Sequence, residues 1–141
     1  MLIHNREFQI PADGWFHLAP LGKHPAFVEH GTEPVRVIQV VNTETVQGLV
    51  NRFNADKQAD PTHALLWDFD HESEDNNKRT EAAGWIEELQ IRNDGLWGRG
   101  RLSDLGEGAI KGGRYRKTSP VWDYEVIGGG ELRNGAEVKP L

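Results

Sequence analysis

Nucleophilic chemistry in this sequence has few residues to draw on. There is no cysteine, which excludes disulfides, thiol catalysis and Cys-ligated zinc together. Serine occurs only at Ser73, Ser103 and Ser119. Ser73 falls in a polar stretch, and Ser103 stands where a short helix needs its cap. Ser119, in Thr118-Ser119-Pro120, has no structural duty of that kind. A serine hydroxyl is a weak nucleophile until a base takes its proton, and histidine is the usual base because it titrates near neutrality. Of the six histidines, His4, His17, His24 and His30 lie in N-terminal segments rich in loop signals, while His63 and His71 bracket an apolar run, with His71 between Asp70 and Glu72. The plain alternative for each histidine is a hydrogen-bonded structural or surface side chain. For Ser119 it is a polar strand residue ahead of a proline.

A metal site competes for the same segment, because His63, Asp68, Asp70 and His71 offer ligand-type side chains within nine positions. Strand alternation sends Asp68 and Asp70 to the face opposite His71, and neither HxxxH nor HxH spacing is present, so no metal is expected. The glycines match neither a phosphate loop nor a dinucleotide fingerprint in its helix context. The sequence therefore calls for no cofactor.

These residues need elements to position them. Trp15 to Ala19 reads as a short strand stopped by Pro20, followed by a long loop through Lys23, His24, Pro25 and Gly31. Val35 to Val41 is β-branched and nearly continuous, which suits a buried strand. Asn42 or Thr43 can cap a helix whose apolar stripe is Val46, Leu49, Val50 and Phe53, with polar Asn54 to Asp60 and Pro61 ending it. Ala64 to His71 is a second strand, one face carrying Leu65, Trp67, Phe69 and His71. Gly84 to Ile91 and Leu96 to Leu102 form a hairpin around Asn93, Asp94 and Gly95, residues that tolerate positive φ. Ser103 opens a short helix through Ile110, closed by Gly112 and Gly113. Tyr115 to Ile127 is a further strand, bent or interrupted at Pro120, and Gly128 to Gly130 turns the chain back. The last residues, Val138 to Leu141, carry no capping signal, and the end reads as cut.

The 141 residues suffice for one ordinary core. Sixteen Lys and Arg against 22 Asp and Glu give a net charge of −6, which opposes non-specific attraction to nucleic acid or anionic membranes. No apolar run reaches the length of a spanning helix, and His4, Arg6 and Glu7 interrupt the stretch a signal peptide would need, so the chain reads as cytosolic. Sixteen glycines and five tryptophans suit short strands, tight turns and a small aromatic core. Trp67, Trp85 and Trp97 are expected to be largely buried; an aromatic peptide-binding surface is the alternative.

Four pieces in order carry a resemblance to a known family: Leu65-Leu66-Trp67-Asp68-Phe69-Asp70-His71-Glu72-Ser73, then Ala82-Ala83-Gly84-Trp85-Ile86 with Glu88-Leu89, then Asp94-Gly95-Leu96-Trp97-Gly98, and Tyr115-Arg116-Lys117-Thr118-Ser119-Pro120. Looser matches at Trp15-Phe16-His17-Leu18-Ala19-Pro20 and Val50-Asn51-Arg52-Phe53-Asn54 extend it over nearly the whole chain. The sequence resembles the Mu-like prophage I protein, a family of phage head-maturation proteases related to prohead proteases and herpesvirus assemblin. The resemblance implies one α+β protease domain over residues 1–141, truncated at its C-terminus. Its fold would be a small, strongly curved or barrel-like, mostly antiparallel sheet with peripheral helices. It places the nucleophile on Ser119 and the base on His71, 48 residues apart. The third catalytic residue stays open: Asp70 and Glu72 are badly placed on a regular strand, and Asp123 lies four residues beyond Ser119. The implied activity is a serine endopeptidase that cleaves scaffold and other prohead proteins, and itself, inside the assembling prohead in the host cytoplasm. Its partners would be scaffold and capsid proteins, with homo-oligomers allowed and neither nucleic acid nor membrane. A non-catalytic assembly module with a protease-like fold is the competing reading.

Overall fold

The computed structural model of the chain describes residues 3–4, 10–68, 82–111, 117–118 and 123–141. In chain order the elements are β1 (Ile3–His4), β2 (Trp15–Pro20), β3 (Gly22–His30), β4 (Glu33–Val41), α1 (Thr43–Ala59), β5 (Leu65–Asp68), β6 (Ala82–Arg92), β7 (Gly95–Leu102), α2 (Asp104–Lys111), β8 (Lys117–Thr118), β9 (Tyr124–Val126) and β10 (Ala136–Pro140). They form an α+β structure with two four-stranded sheets, ordered β2-β7-β6-β5 and β3-β4-β10-β9, and a small β1-β8 ribbon. All pairings are antiparallel except β10 with β4. Among the described residues the sheets are open, which corrects the barrel-like expectation.

The capped helix forms as its sequence dictates. Asn42 Oδ1 accepts from the Thr45 backbone N–H at 2.8 Å, and Thr45 Oγ1 accepts from the Asn42 N–H at 2.9 Å. Two free donors of the first turn region are thereby satisfied reciprocally. The helix runs on to Ala59, past the polar residues expected to end it, because its exposed face needs no apolar groups. Val46, Val50 and Phe53 enter one core with Val41 of β4, Ala19 of β2, Ile86 and Leu89 of β6, and Leu96 of β7. The core thus lies between α1 and both sheets.

Three further expectations need correction. The segment read as a loop through Lys23, His24 and Pro25 is strand β3, paired with β4 from Gly22↔Val41 to His30↔Glu33. Pro25 is tolerated because β3 is an edge strand, where one row of donors has no ladder to serve. The single strand expected over Tyr115 to Ile127 is two short ones, β8 and β9, with residues 119–122 outside the described residues. Trp85 is 46% exposed, while Trp67 and Trp97 are half-buried. Both neighbours of Trp85 along the strand, Gly84 and Ile86, are buried, so alternation turns the indole to the outer face beside its partners Leu66 and Arg101.

The sheet β2-β7-β6-β5 is strongly curved. Phe16 and Trp67 sit on its two edge strands, which in a flat sheet would stand about 14 Å apart, three inter-strand spacings. Their ring centroids are 4.7 Å apart, edge to face. The floor beneath them is glycine: a Cβ on Gly98 would meet Leu18 Cδ1 at 2.7 Å, and one on Gly100 would meet Ile86 Cδ1 at 2.9 Å and Trp67 Cζ3 at 3.6 Å.

Candidate active site

Ser119 and His71, the two residues expected to do the chemistry, lie outside the described residues, as do Ser73, Asp70 and Glu72. The described structure does hold the elements that lead to them. β5 ends at Asp68, three residues before His71. β8 ends at Thr118, directly before Ser119, and α2 ends at Lys111, eight residues before it.

β5 and the first turn of α2 are both fastened to the start of β6. Asp68 pairs with Ala82, the first residue of β6. The Ala82 carbonyl accepts from Ser103 Oγ at 2.6 Å, and the Ala83 carbonyl accepts from the Ser103 N–H at 2.8 Å. The same Ser103 Oγ accepts from the Gly106 N–H at 3.1 Å, so one hydroxyl caps α2 and ties its first turn to β6. Gly106 lies so close to β6 that a Cβ there would come within 1.9 Å of the Ala83 carbonyl oxygen. The ends of β5 and the start of α2 are therefore clamped to the same two residues of β6.

The described side chains narrow the field. Ser103 Oγ accepts from the Gly106 N–H as the cap of α2, the structural duty read for it from sequence, and gives its proton to the Ala82 carbonyl. His63 rests its ring on Phe53 at 5.5 Å and lies 3.9 Å from Asp56, and His24 Nε2 donates to the Pro20 carbonyl at 3.2 Å. Asp123, the carboxylate beyond Ser119, is exposed, and its carbonyl accepts from the Leu141 N–H at 2.9 Å. Among the described residues no group of three or more His, Asp and Glu is arranged to hold a metal, and no helix is long and apolar enough to cross a membrane.

Sequence reasoning missed a polar aromatic cluster at the β6–β7 turn. Arg92 lies over the rings of Trp15 and Trp97, at 4.9 and 4.5 Å, and the His17 ring stacks on Trp97 at 5.0 Å. Trp97 Nε1 donates to Asp94 Oδ1 at 2.7 Å, and this bond, ahead of the fields of His17 and Arg92, lowers the Asp94 carboxyl below the ordinary aspartate range. Beside it, Arg101 hydrogen-bonds Glu87 at 2.7 and 3.0 Å and lowers that carboxyl likewise. Alternation along β2 and β7, which puts Trp15, His17 and Trp97 on one face, was the signal available. The family described as Mu-like prophage I protein, N-terminal domain, matches residues 16–132. Comparison with curated proteins and with solved structures gave no match.

Proposed function

The chain belongs to the Mu-like prophage I protein family, and we propose that it is a serine endopeptidase of phage head maturation in which Ser119 is the nucleophile and His71 its base. The observation that carries this reading is the extent of the family match, whose residues 16–132 include both His71 and Ser119. The clamp at Ala82 and Ala83 supports it to the extent that β5, which precedes His71, and the first turn of α2, which precedes Ser119, are both fastened to the start of β6. The curved sheet with flanking helices is compatible with kinship to the prohead proteases and to assemblin.

In the proposed reaction His71 takes the Ser119 proton as Oγ attacks the scissile carbonyl. His71 then returns that proton to the leaving amine. Water, activated by the same imidazole, releases the acyl group and regenerates the serine. The substrates would be scaffold and other head proteins, cleaved inside the prohead, with self-cleavage at accessible sites.

The test is covalent labelling by a fluorophosphonate together with cleavage of a scaffold protein from the same phage. Ser119→Ala should abolish labelling and lower cleavage by roughly 10⁴-fold or more with the fold retained. His71→Ala should fail almost as badly, and the double variant should add little, because the pair acts as one unit. A folded Ser119→Ala protein that cleaves like the wild type would remove the assignment. A wild-type protein that neither labels nor cleaves would favour the non-catalytic assembly module.

A further inference from the structure

The outer face of the curved sheet carries three arginines in two different situations. Arg99 and Arg101 are neutralised in place: Arg99 Nε meets Glu88 at 2.8 Å, and Arg101 Nη2 meets Glu87 at 2.7 Å. Arg92, at the end of β6, has no ion-pair partner among the described residues. Its Nε donates to Gln90 Oε1 at 2.7 Å, and its guanidinium carbon lies over two indoles, 4.9 Å from the Trp15 ring centre and 4.5 Å from that of Trp97. Ring contacts of this kind use the π-face of the cation and leave its in-plane N–H groups free to donate.

The platform under Arg92 is itself fixed. Trp97 is held through its indole N–H by Asp94 and through its ring by His17, and His17 Nε2 donates to the Asp94 carbonyl at 3.0 Å. Asp94 lies in the field of Arg92 but gives its Oδ1 to the Trp97 indole N–H and forms no ion pair with the guanidinium. What remains is a half-buried guanidinium, oriented by two flat rings and one hydrogen bond, with its Nη donors unclaimed among the described residues. A planar fork of that kind matches a carboxylate bidentately, and the indoles beside it offer apolar area with polar edges.

We propose that Arg92, seated on Trp15 and Trp97, is a docking site for an acidic side chain of an extended peptide, the carboxylate taking the guanidinium and the flanking apolar residues resting against the exposed edges of the indoles. A nucleic acid is disfavoured because its successive phosphates would meet Glu87, Glu88 and Asp94 on the same face of a chain of net charge −6. An isolated side-chain carboxylate approaches Arg92 alone and feels less of that repulsion than a run of phosphates does. The proposal does not depend on the chemistry proposed for Ser119 and His71.

The probes are two doubly capped peptides, acetyl-Leu-Leu-Glu-Leu-Leu-amide and its analogue with glutamine for the glutamate, titrated while the indole N–H resonances of Trp15 and Trp97 are followed by NMR. The glutamate peptide should shift both resonances and bind about tenfold more tightly than the glutamine peptide, as a charge-assisted pair requires. Arg92→Gln should bring the ratio to about one, and Arg92→Lys, which keeps the charge but not the fork, should lower it several-fold. Equal binding of the two peptides to the wild-type protein, or no shift at either indole, overturns the proposal without reference to any variant. Stronger shifts of the same indoles by oligothymidylate would replace the peptide with a nucleic acid.

Discussion

Gly106 and Gly108 sit in the same turn-and-a-half of α2 and differ in one respect that fixes the sign of their replacement. A Cβ on Gly106 would lie 1.9 Å from the Ala83 oxygen, 2.8 Å from its carbonyl carbon and 3.1 Å from its Cα, all backbone atoms of β6. A Cβ on Gly108 meets nothing within 4 Å. Ordinary contact begins near 3.4 Å, so Gly106→Ala must drive helix and strand apart by about 3.4 − 1.9 = 1.5 Å. That displacement exceeds what the 2.6 and 2.8 Å bonds from Ser103 to Ala82 and Ala83 can absorb. Two hydrogen bonds at about 1 kcal/mol each, with part of the Ala109 burial, outweigh the roughly 1 kcal/mol that alanine adds to a helix interior. The net is a loss of about 1–2 kcal/mol, within the range for overpacking. Gly108→Ala keeps only the propensity term and gains about 0.5–1 kcal/mol. Urea unfolding of the two variants reads the difference directly. If Gly106→Ala proves as stable as the wild type, or both variants move in the same direction, the clamp between α2 and β6 is not as described.

Asn42→Ala removes the acceptor of the 2.8 Å bond from Thr45 and one half of the capping box; it should cost about 1 kcal/mol in the same assay, and an unchanged midpoint would show the cap to be dispensable. Asp94 and Glu87 have lowered pKa values, caused first by the hydrogen bonds from Trp97 and Arg101, so their contribution is complete above the ordinary carboxylate range and is lost as the pH falls below about 4 through the lowered values. Following the Trp97 indole resonance down in pH should give a midpoint below that of an ordinary aspartate, and a midpoint at or above it would contradict the bond to Asp94.

The sequence made local features legible where local chemistry decides them. The Asn42 cap, the stripe of Val46, Val50 and Phe53, the turn at Asn93 and Asp94, and the capping duty of Ser103 all appear where their residue types place them. Strand β3 was hidden because three prolines, at 20, 25 and 34, look like breakers until the topology makes β3 an edge. The pairing of β10 alongside β4, parallel and joined across nearly the whole chain, is set by Val138 finding the core, where it is 1% exposed; no local signal encodes a partner a hundred residues away. Residue type and family resemblance point to Ser119 and His71, which lie outside the described residues, whereas nothing of that kind pointed to the platform around Arg92. It needs the β6–β7 turn and β2 together, and no single stretch of sequence contains both.

Two spacings in the sequence do encode the curvature that shapes the sheet. Phe16 and Ala19 are both buried, as are Ile86 and Leu89, and residues three apart cannot share a face of a regular strand, whose side chains alternate. Each strand therefore slips once in its ladder with β7: Leu18 is the extra residue between His17↔Trp97 and Ala19↔Leu96, and Glu87 the extra one between Ile86↔Gly100 and Glu88↔Arg99. A bulge bends its strand and increases local twist. Here the two bulges flank β7 on both sides, and β7 presents Gly98 and Gly100 to the concave face, where any side chain would resist the bend. The same slip that buries Leu89 places Glu87 and Glu88 beside Arg101 and Arg99. Curling the sheet and neutralising two arginines of its outer face are thus one structural event, and Arg92, beyond the reach of either bulge, is the arginine that event leaves to the indoles.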